Sequence, residues 1–166
     1  MSSDSAFTQI LLIMAKTLVE KYSPWIWKGE PFDHNSIQED WEGFVYLIKL
    51  IHPVSKDVFY YVGKKNFATN AKTKLSKKEM PTDKRLKTYK RVRRFNYINY
   101  MSSSEGVVAK INEGFEPERI ILQICKTKGA LTYHEVRWMM KFRALERKDF
   151  LNDNVLGSFY KKHFYA

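Results

Sequence analysis

Residues 44 to 63 restrict the fold more than any other stretch of this chain. Phe44-Val45-Tyr46-Leu47-Ile48-Lys49-Leu50-Ile51 is a nearly continuous run of strand-favouring side chains. The turn-forming segment His52-Pro53-Val54-Ser55-Lys56-Asp57 follows, then a second run, Val58-Phe59-Tyr60-Tyr61-Val62, closed by Gly63. Two such runs separated by so short a connection predict an antiparallel hairpin. Facing residues of a hairpin keep a constant index sum, and the midpoint of 46 and 61 falls inside the turn, so Tyr46 and Tyr61 are expected to be cross-strand neighbours.

The flanking segments predict an α+β fold. Phe7, Leu11, Met14, Leu18 and Tyr22 recur at helical spacing, and residues 23 to 42 are rich in Pro, Trp and acid without a period. Residues 1–42 therefore read as an N-terminal helix and irregular wrap ahead of a domain spanning 43–166. Ser102 and Glu105 have capping-box spacing and predict a short helix to about Asn112. The β-rich Glu118–Thr127 suits an inner strand, and Leu131–Arg147 reads as one long helix.

Charge narrows the partner. The 166 residues carry 29 Lys and Arg against 18 Asp and Glu, a formal charge of +11. Nine Lys and four Arg lie between residues 64 and 94, opposed only by Glu79 and Asp83, so this block holds the whole excess. It reads as a mostly irregular basic insertion suited to a polyanion, DNA or RNA, although a solvated charged face is the simpler use of such a run. Arg91, Arg93 and Arg94 stand among Tyr89, Phe95 and Tyr97, a pattern able to alternate phosphate contacts with base stacking. The lone Cys125 excludes an internal disulfide and reads as a small buried apolar residue. The longest apolar run, Ile10 to Ala15, is far shorter than the roughly 20 residues of a membrane span, so neither a span nor a signal peptide is expected and the location expected is cytoplasmic. No phosphate-cradling glycine loop is present, so no nucleotide cofactor is expected.

Two constellations can carry chemistry. The hairpin phenols Tyr46 and Tyr61, with Gly63 and the pair Lys64-Lys65, put proton donors and cations at one corner, where a water nucleophile and a phosphate would fit. Ring packing in strands accounts for the same tyrosines without any catalysis. On the long helix, Leu131, Glu135, Trp138, Phe142 and Leu145 recur at steps of 4, 3, 4 and 3, which sets Glu135 on the apolar stripe. A carboxylate there needs a partner: a Lys or Arg, or a metal. Magnesium, which keeps most of its water, is a cation one Glu can hold. His34, His52, His134 and His163 lack metal-site spacing, and Trp25, Trp27 and Trp138 read as core.

Together, Gly43-Phe44-Val45-Tyr46, Tyr61-Val62-Gly63, Glu135 and a downstream Asn resemble the GIY-YIG nuclease family. The closer similarity is to phage-encoded, homing-type members, carried by Tyr61-Val62-Gly63-Lys64-Lys65-Asn66-Phe67, Tyr97 to Ser104, Tyr133-His134-Glu135 and Asn152-Asp153-Asn154-Val155-Leu156-Gly157. The resemblance covers about 43 to 160, with weaker echoes in Trp25 to Phe32. It implies a small three-stranded antiparallel sheet flanked by helices and hydrolysis of DNA phosphodiesters with Mg²⁺ or Mn²⁺. It further implies that Tyr46, relayed through Tyr61, orients or deprotonates water, with Lys64 or Lys65 lowering the phenol pKa. Glu135 would hold the metal and Asn152 would steady the assembly. DNA contacts would come from Lys64, Lys72, Lys74, Lys77, Lys78, Arg85, Lys90, Arg91, Arg93 and Arg94. Two features depart from the family pattern: 14 residues separate Tyr46 from Tyr61, which calls for a longer or bulged hairpin, and no Arg follows shortly after Gly63. Lys72, Arg85 or Arg91 would have to replace that Arg. The alternative reading is a weak or inactive member of the fold that binds DNA or RNA.

Overall fold

The computed structural model of the protein describes residues 22–75, 78 and 89–164, and for residues 70–74 and 89–94 the course of the backbone. The expected N-terminal helix falls almost wholly outside the described residues. The described elements are β1 (Trp25–Trp27), β2 (Glu30–Pro31), β3 (Gly43–Ile51), β4 (Val58–Asn66), β5 (Ala68–Lys74), β6 (Tyr89–Phe95), α1 (Glu105–Asn112), β7 (Glu116–Cys125), α2 (Lys128–Lys141), β8 (Asn154–Val155) and β9 (Phe159–Tyr160), with two short 3-10 turns.

The sheet is larger than the sequence suggested. The expected antiparallel trio is present as β7-β3-β4, but the full order is β2-β1-β7-β3-β4, and β1 runs parallel to β7. Trp25-Ile26-Trp27 pairs with Arg119-Ile120-Ile121, which gives β7 a partner on both sides. Three residues are too few to show a period, so this part of the wrap carried no strand signal. Pairing on both sides makes β7 an inner strand, as its composition predicted.

Alternation along β3 sends Phe44, Tyr46 and Ile48 into one core with Trp25, Phe67, Tyr97 and Val107. Val45 enters a second core, on the other face, with Val62, Leu131, Met139, Leu145 and Phe150. The wrap, the 97–101 loop and α1 contribute to the first core, and α2 covers the second.

The hairpin register differs from the expected one by a single step of two. Tyr46 faces Gly63 and Ile48 faces Tyr61, without interruption from Gly43↔Asn66 to Ile51↔Val58. The cause is the connection itself: His52 to Asp57 is closed by His52 N–H to Asp57 C=O at 2.9 Å, which centres the turn one residue beyond the midpoint of 46 and 61. Because the displacement is even, both phenols stay on one face, as diagonal neighbours with ring centroids 6.3 Å apart. The long spacing is thus met by longer strands, and the only shift along β3 is a bulge against β7 at Val45/Tyr46.

The basic insertion is not mostly irregular. β5 and β6 pair antiparallel over seven positions, from Ala68↔Phe95 to Lys74↔Tyr89. Helix boundaries also move. Ser104 occupies the N-cap position of α1 without a side-chain cap bond, and the Ser102 hydroxyl accepts from Ser104 N–H at 3.0 Å, so the capping-box reading of Ser102 fails by two residues. α2 starts at Lys128, with the Thr127 hydroxyl accepting from Ala130 N–H, and stops at Lys141. Arg143 there adopts φ 55, with Arg143 N–H bonded to Met140 C=O and Ala144 N–H to Met139 C=O. This pair of bonds is a Schellman ending. It usually carries Gly, and with Arg in the left-handed position the stop was invisible in the sequence. The reversal returns Ala144 and Leu145 to the second core.

Candidate active site

β4 is the last strand of the sheet, so side chains from its two faces can meet around its outer margin. Tyr61, Gly63 and Lys65 alternate onto the face of Tyr46, and Val62 and Lys64 onto the face of α2. Around that margin lies an open cleft of about 600 Å³, lined among others by Tyr61, Lys64, Ser103, Glu135 and Asp153. Tyr61 and Glu135, 74 positions apart in sequence, thereby border one solvent-reachable space.

The partner that Glu135 required is Lys64. Its Nζ lies 2.9 Å from the carboxylate and donates to Thr132 Oγ1 at 3.0 Å, and the Glu135 side chain is 19% exposed. Both residues of this pair line the cleft, and the partner is not an arginine inside the core. Burial first, and the negative charge of Glu135 second, push the Tyr61 phenol up to about 12.

Tyr46 is deeper, at 1% exposure, and burial pushes its phenol far above the ordinary range. Its hydroxyl lies 3.4 Å from that of Tyr100, which donates to Ser103 Oγ at 3.4 Å. A run of three hydroxyls therefore connects the buried phenol to the cleft wall. Neither lysine expected to acidify a phenol is placed for it: Lys64 pairs with Glu135, and Lys65 lies over the Tyr100 ring at 4.3 Å. Both phenols are protonated at neutral pH, and their capacity is that of hydrogen-bond donors. Gly63 supplies the room for them, since a Cβ there would lie 2.5 Å from Tyr46 Oη and 2.9 Å from Tyr61 Cε1.

Asn152 borders the cleft, but both of its side-chain hydrogen bonds are spent on β4. Its Oδ1 accepts from Val62 N–H at 3.0 Å and its Nδ2 donates to Val62 C=O at 2.8 Å. Tyr60 is held likewise by Asp149 C=O and Leu151 N–H, at 2.8 and 2.7 Å. The 149–152 segment thus completes the open edge of β4 and fixes the strand that carries Tyr61 and Lys64.

Of the other residues singled out in the sequence, Lys72, Lys74, Lys90, Arg91, Arg93 and Arg94 occupy the β5–β6 ribbon, with Lys72 facing Arg91. Lys78 is exposed in a turn, and Lys77 and Arg85 lie outside the described residues. Among the described residues no arginine lines the cleft. The arginine that sequence reasoning missed is Arg119, 3% exposed on β7. It donates to the carbonyls of Ser23, Ile98 and Tyr100 and lies 4.9 Å from the Trp25 ring. Burial lowers its pKa to about 10. It clasps the wrap to the loop that presents Tyr100, and its signal was one cation inside the apolar run Glu118–Cys125.

The donors facing the cleft are oxygens: Glu135, Glu105, Asp153, Asn154 and the serine hydroxyls. Among the described residues no group of three or more His, Cys, Asp or Glu can hold a metal by itself. A hard cation that keeps most of its water and takes one carboxylate fits this set, as magnesium does; a zinc-type site would need more protein ligands.

A paired-tyrosine hairpin, a glycine beneath both phenols and a helix glutamate at the open sheet edge define a GIY-YIG domain. The chain matches the family model described as "Putative endonuclease segE, GIY-YIG domain" over residues 25–155, more than three quarters of its length. It belongs to this GIY-YIG family. No curated protein and no solved structure matches it. No helix among the described residues is long and apolar enough to cross a membrane.

Proposed function

We propose that the protein is a divalent-metal-dependent DNA endonuclease that hydrolyses phosphodiester bonds, of the phage-encoded homing type. The observation that carries this reading is the convergence of Glu135 and Tyr61 on one open cleft from opposite faces of β4. Glu135 is the residue to hold Mg²⁺ or Mn²⁺, and Asp153 lines the same cleft as a further carboxylate. When bound, the cation supplies positive charge to a nonbridging phosphate oxygen. Lys64, already 2.9 Å from the carboxylate, offers a second positive charge to the same phosphate. Tyr61, protonated and facing the cleft, donates a hydrogen bond that orients the attacking water or a phosphate oxygen. The Tyr46–Tyr100–Ser103 hydroxyls and the Asn152 clasp hold that geometry in advance, so little reorganisation is left for the reaction.

Supercoiled plasmid incubated with Mg²⁺ or Mn²⁺ tests this. Nicking that stops with chelator and falls at least about a hundredfold in Glu135→Ala is expected, by analogy with the loss of other electrostatic stabilisers. Chelator-resistant nicking, or a variant as active as the parent, would remove the mechanism. The lack of an arginine among the described cleft residues favours one second reading, a member that binds DNA without cutting it. Tight binding with no nicking under any divalent cation would establish that instead.

A further inference from the structure

β5 and β6 form a sheet of their own, and among the described elements neither has an extensive contact with any element but the other. Their fourteen residues include Lys72, Lys74, Lys90, Arg91, Arg93 and Arg94 and no carboxylate. A free two-stranded ribbon is marginal in water, and a like-charge pair facing across it, here Lys72↔Arg91, weakens it further. An anionic surface would offset that repulsion and so stabilise a ribbon of this composition.

The register divides its charges unequally. Asn70, Lys72, Lys74, Tyr89, Arg91 and Arg93 share one face, and Thr69, Ala71, Thr73, Lys90, Val92 and Arg94 the other. The first face holds the residue types that read bases: Arg, whose fork fits the two acceptors of guanine, and Asn, which pairs with the donor and acceptor of adenine. We propose that this ribbon enters the major groove of B-form DNA with the Asn70/Lys72/Arg91/Arg93 face toward the base edges, and so selects the sequence on which the cleft acts.

Dimensions agree with this. Seven paired positions span about 24 Å, and the major groove, about 12 Å wide, admits a two-stranded ribbon. The deep, narrow major groove of A-form RNA does not admit it, which favours DNA over an RNA duplex. The ribbon leaves β4 after a single residue, Phe67, so its middle, at Ala71, lies ten residues beyond Tyr61. That is at most about 35 Å of chain, or about 10 base pairs, between the bases read and the bond cut. The distance to the cut rests on the endonuclease reading; the sequence preference does not.

The test is selection from a randomised DNA duplex library by the full chain in chelator, comparing the parent with R91K/R93K, Asn70→Ala and K90A/R94A. The parent is expected to recover a consensus containing G·C pairs. R91K/R93K keeps charge but not the fork, so it should hold random duplex as the parent does while discrimination at those pairs falls at least about fivefold. Asn70→Ala should relax an A·T position alone, and K90A/R94A should weaken all sequences alike with a shallower salt dependence. No consensus from the parent, an unchanged consensus in both R91K/R93K and Asn70→Ala, or tighter binding to duplex RNA would overturn the proposal. A consensus that is bound but never nicked would leave it standing and remove the endonuclease reading; nicking without sequence preference would do the reverse.

Discussion

Replacing Asn152 by Asp converts the clasp on Val62 into a titratable one. The parent side chain accepts from Val62 N–H and donates to Val62 C=O, and Asn152 and Val62 are 5% and 1% exposed. Truncation to Ala strands one buried donor and one buried acceptor, at about 1–3 kcal/mol each, or about 2–6 kcal/mol together. Both residues border the cleft, where water can replace part of the loss, so the lower half of that range is expected. At about 2–4 °C per kcal/mol for a chain of this size, Asn152→Ala should melt roughly 5–15 °C below the parent. Asp keeps the shape and the bond to Val62 N–H, but its second oxygen faces the Val62 carbonyl and can donate only when protonated. Burial and that carbonyl both disfavour the anion, so its folded pKa lies above the unfolded value of about 3.9. Stability from a group with a raised pKa is complete below the unfolded value and is lost as pH rises through the folded one. The melting gap between parent and Asn152→Asp should therefore be wide at pH 7.5 and narrow toward pH 4. Subtracting the parent at each pH cancels the acid loss both share, such as that of the Asp149 carboxylate, which the hydrogen bond from Arg147 holds below its ordinary range. A gap of constant size across this range would refute the clasp.

Gly63→Ala should cost about 1–3 kcal/mol through overpacking. Adding Tyr46→Phe should recover only part of it, because Cζ, 2.6 Å from the new Cβ, remains after Oη is gone; full recovery in thermal melts would contradict the placement of the ring. The raised Tyr61 pKa means that the parent loses stability as pH climbs from about 10 through about 12, so Tyr61→Phe should resist alkaline unfolding better than the parent. An identical alkaline midpoint would deny the phenol its buried position. Arg119→Lys has no fork to span the carbonyls of Ser23, Ile98 and Tyr100, and should cost at least about 2 kcal/mol in denaturant unfolding. Lys64→Ala removes a partly exposed ion pair and should change stability by less than about 1 kcal/mol.

The site was legible in the sequence where its parts announce themselves locally. Tyr46, Tyr61 and Gly63 lie in strands whose composition is unambiguous, and Glu135 stood out as the one acid on an apolar stripe. Residues whose importance comes from what they touch were not legible. Tyr100 and Ser103 fall inside the Tyr97 to Ser104 segment of the resemblance, but they sit in a loop without a period and their individual roles come from the hydroxyl of Tyr46 ending beside that of Tyr100. Asn152 carried a motif, but its two bonds to Val62 depend on a sheet edge 90 residues earlier in the chain.

The sequence by itself determined the hairpin, the inner strand β7, the existence of both described helices and the concentration of positive charge behind Gly63, because propensity and periodicity act over a few residues. Only the tertiary structure decided the register of the hairpin, the end of α2 at a left-handed Arg143, the fourth and fifth strands of the sheet, and the pairing of the basic block into a ribbon. Each of these is settled by a turn geometry or a long-range pairing that no short window of sequence contains. The same holds for the cleft, where Glu135 and Tyr61 meet only because β4 is the edge of the sheet and both of its faces open there.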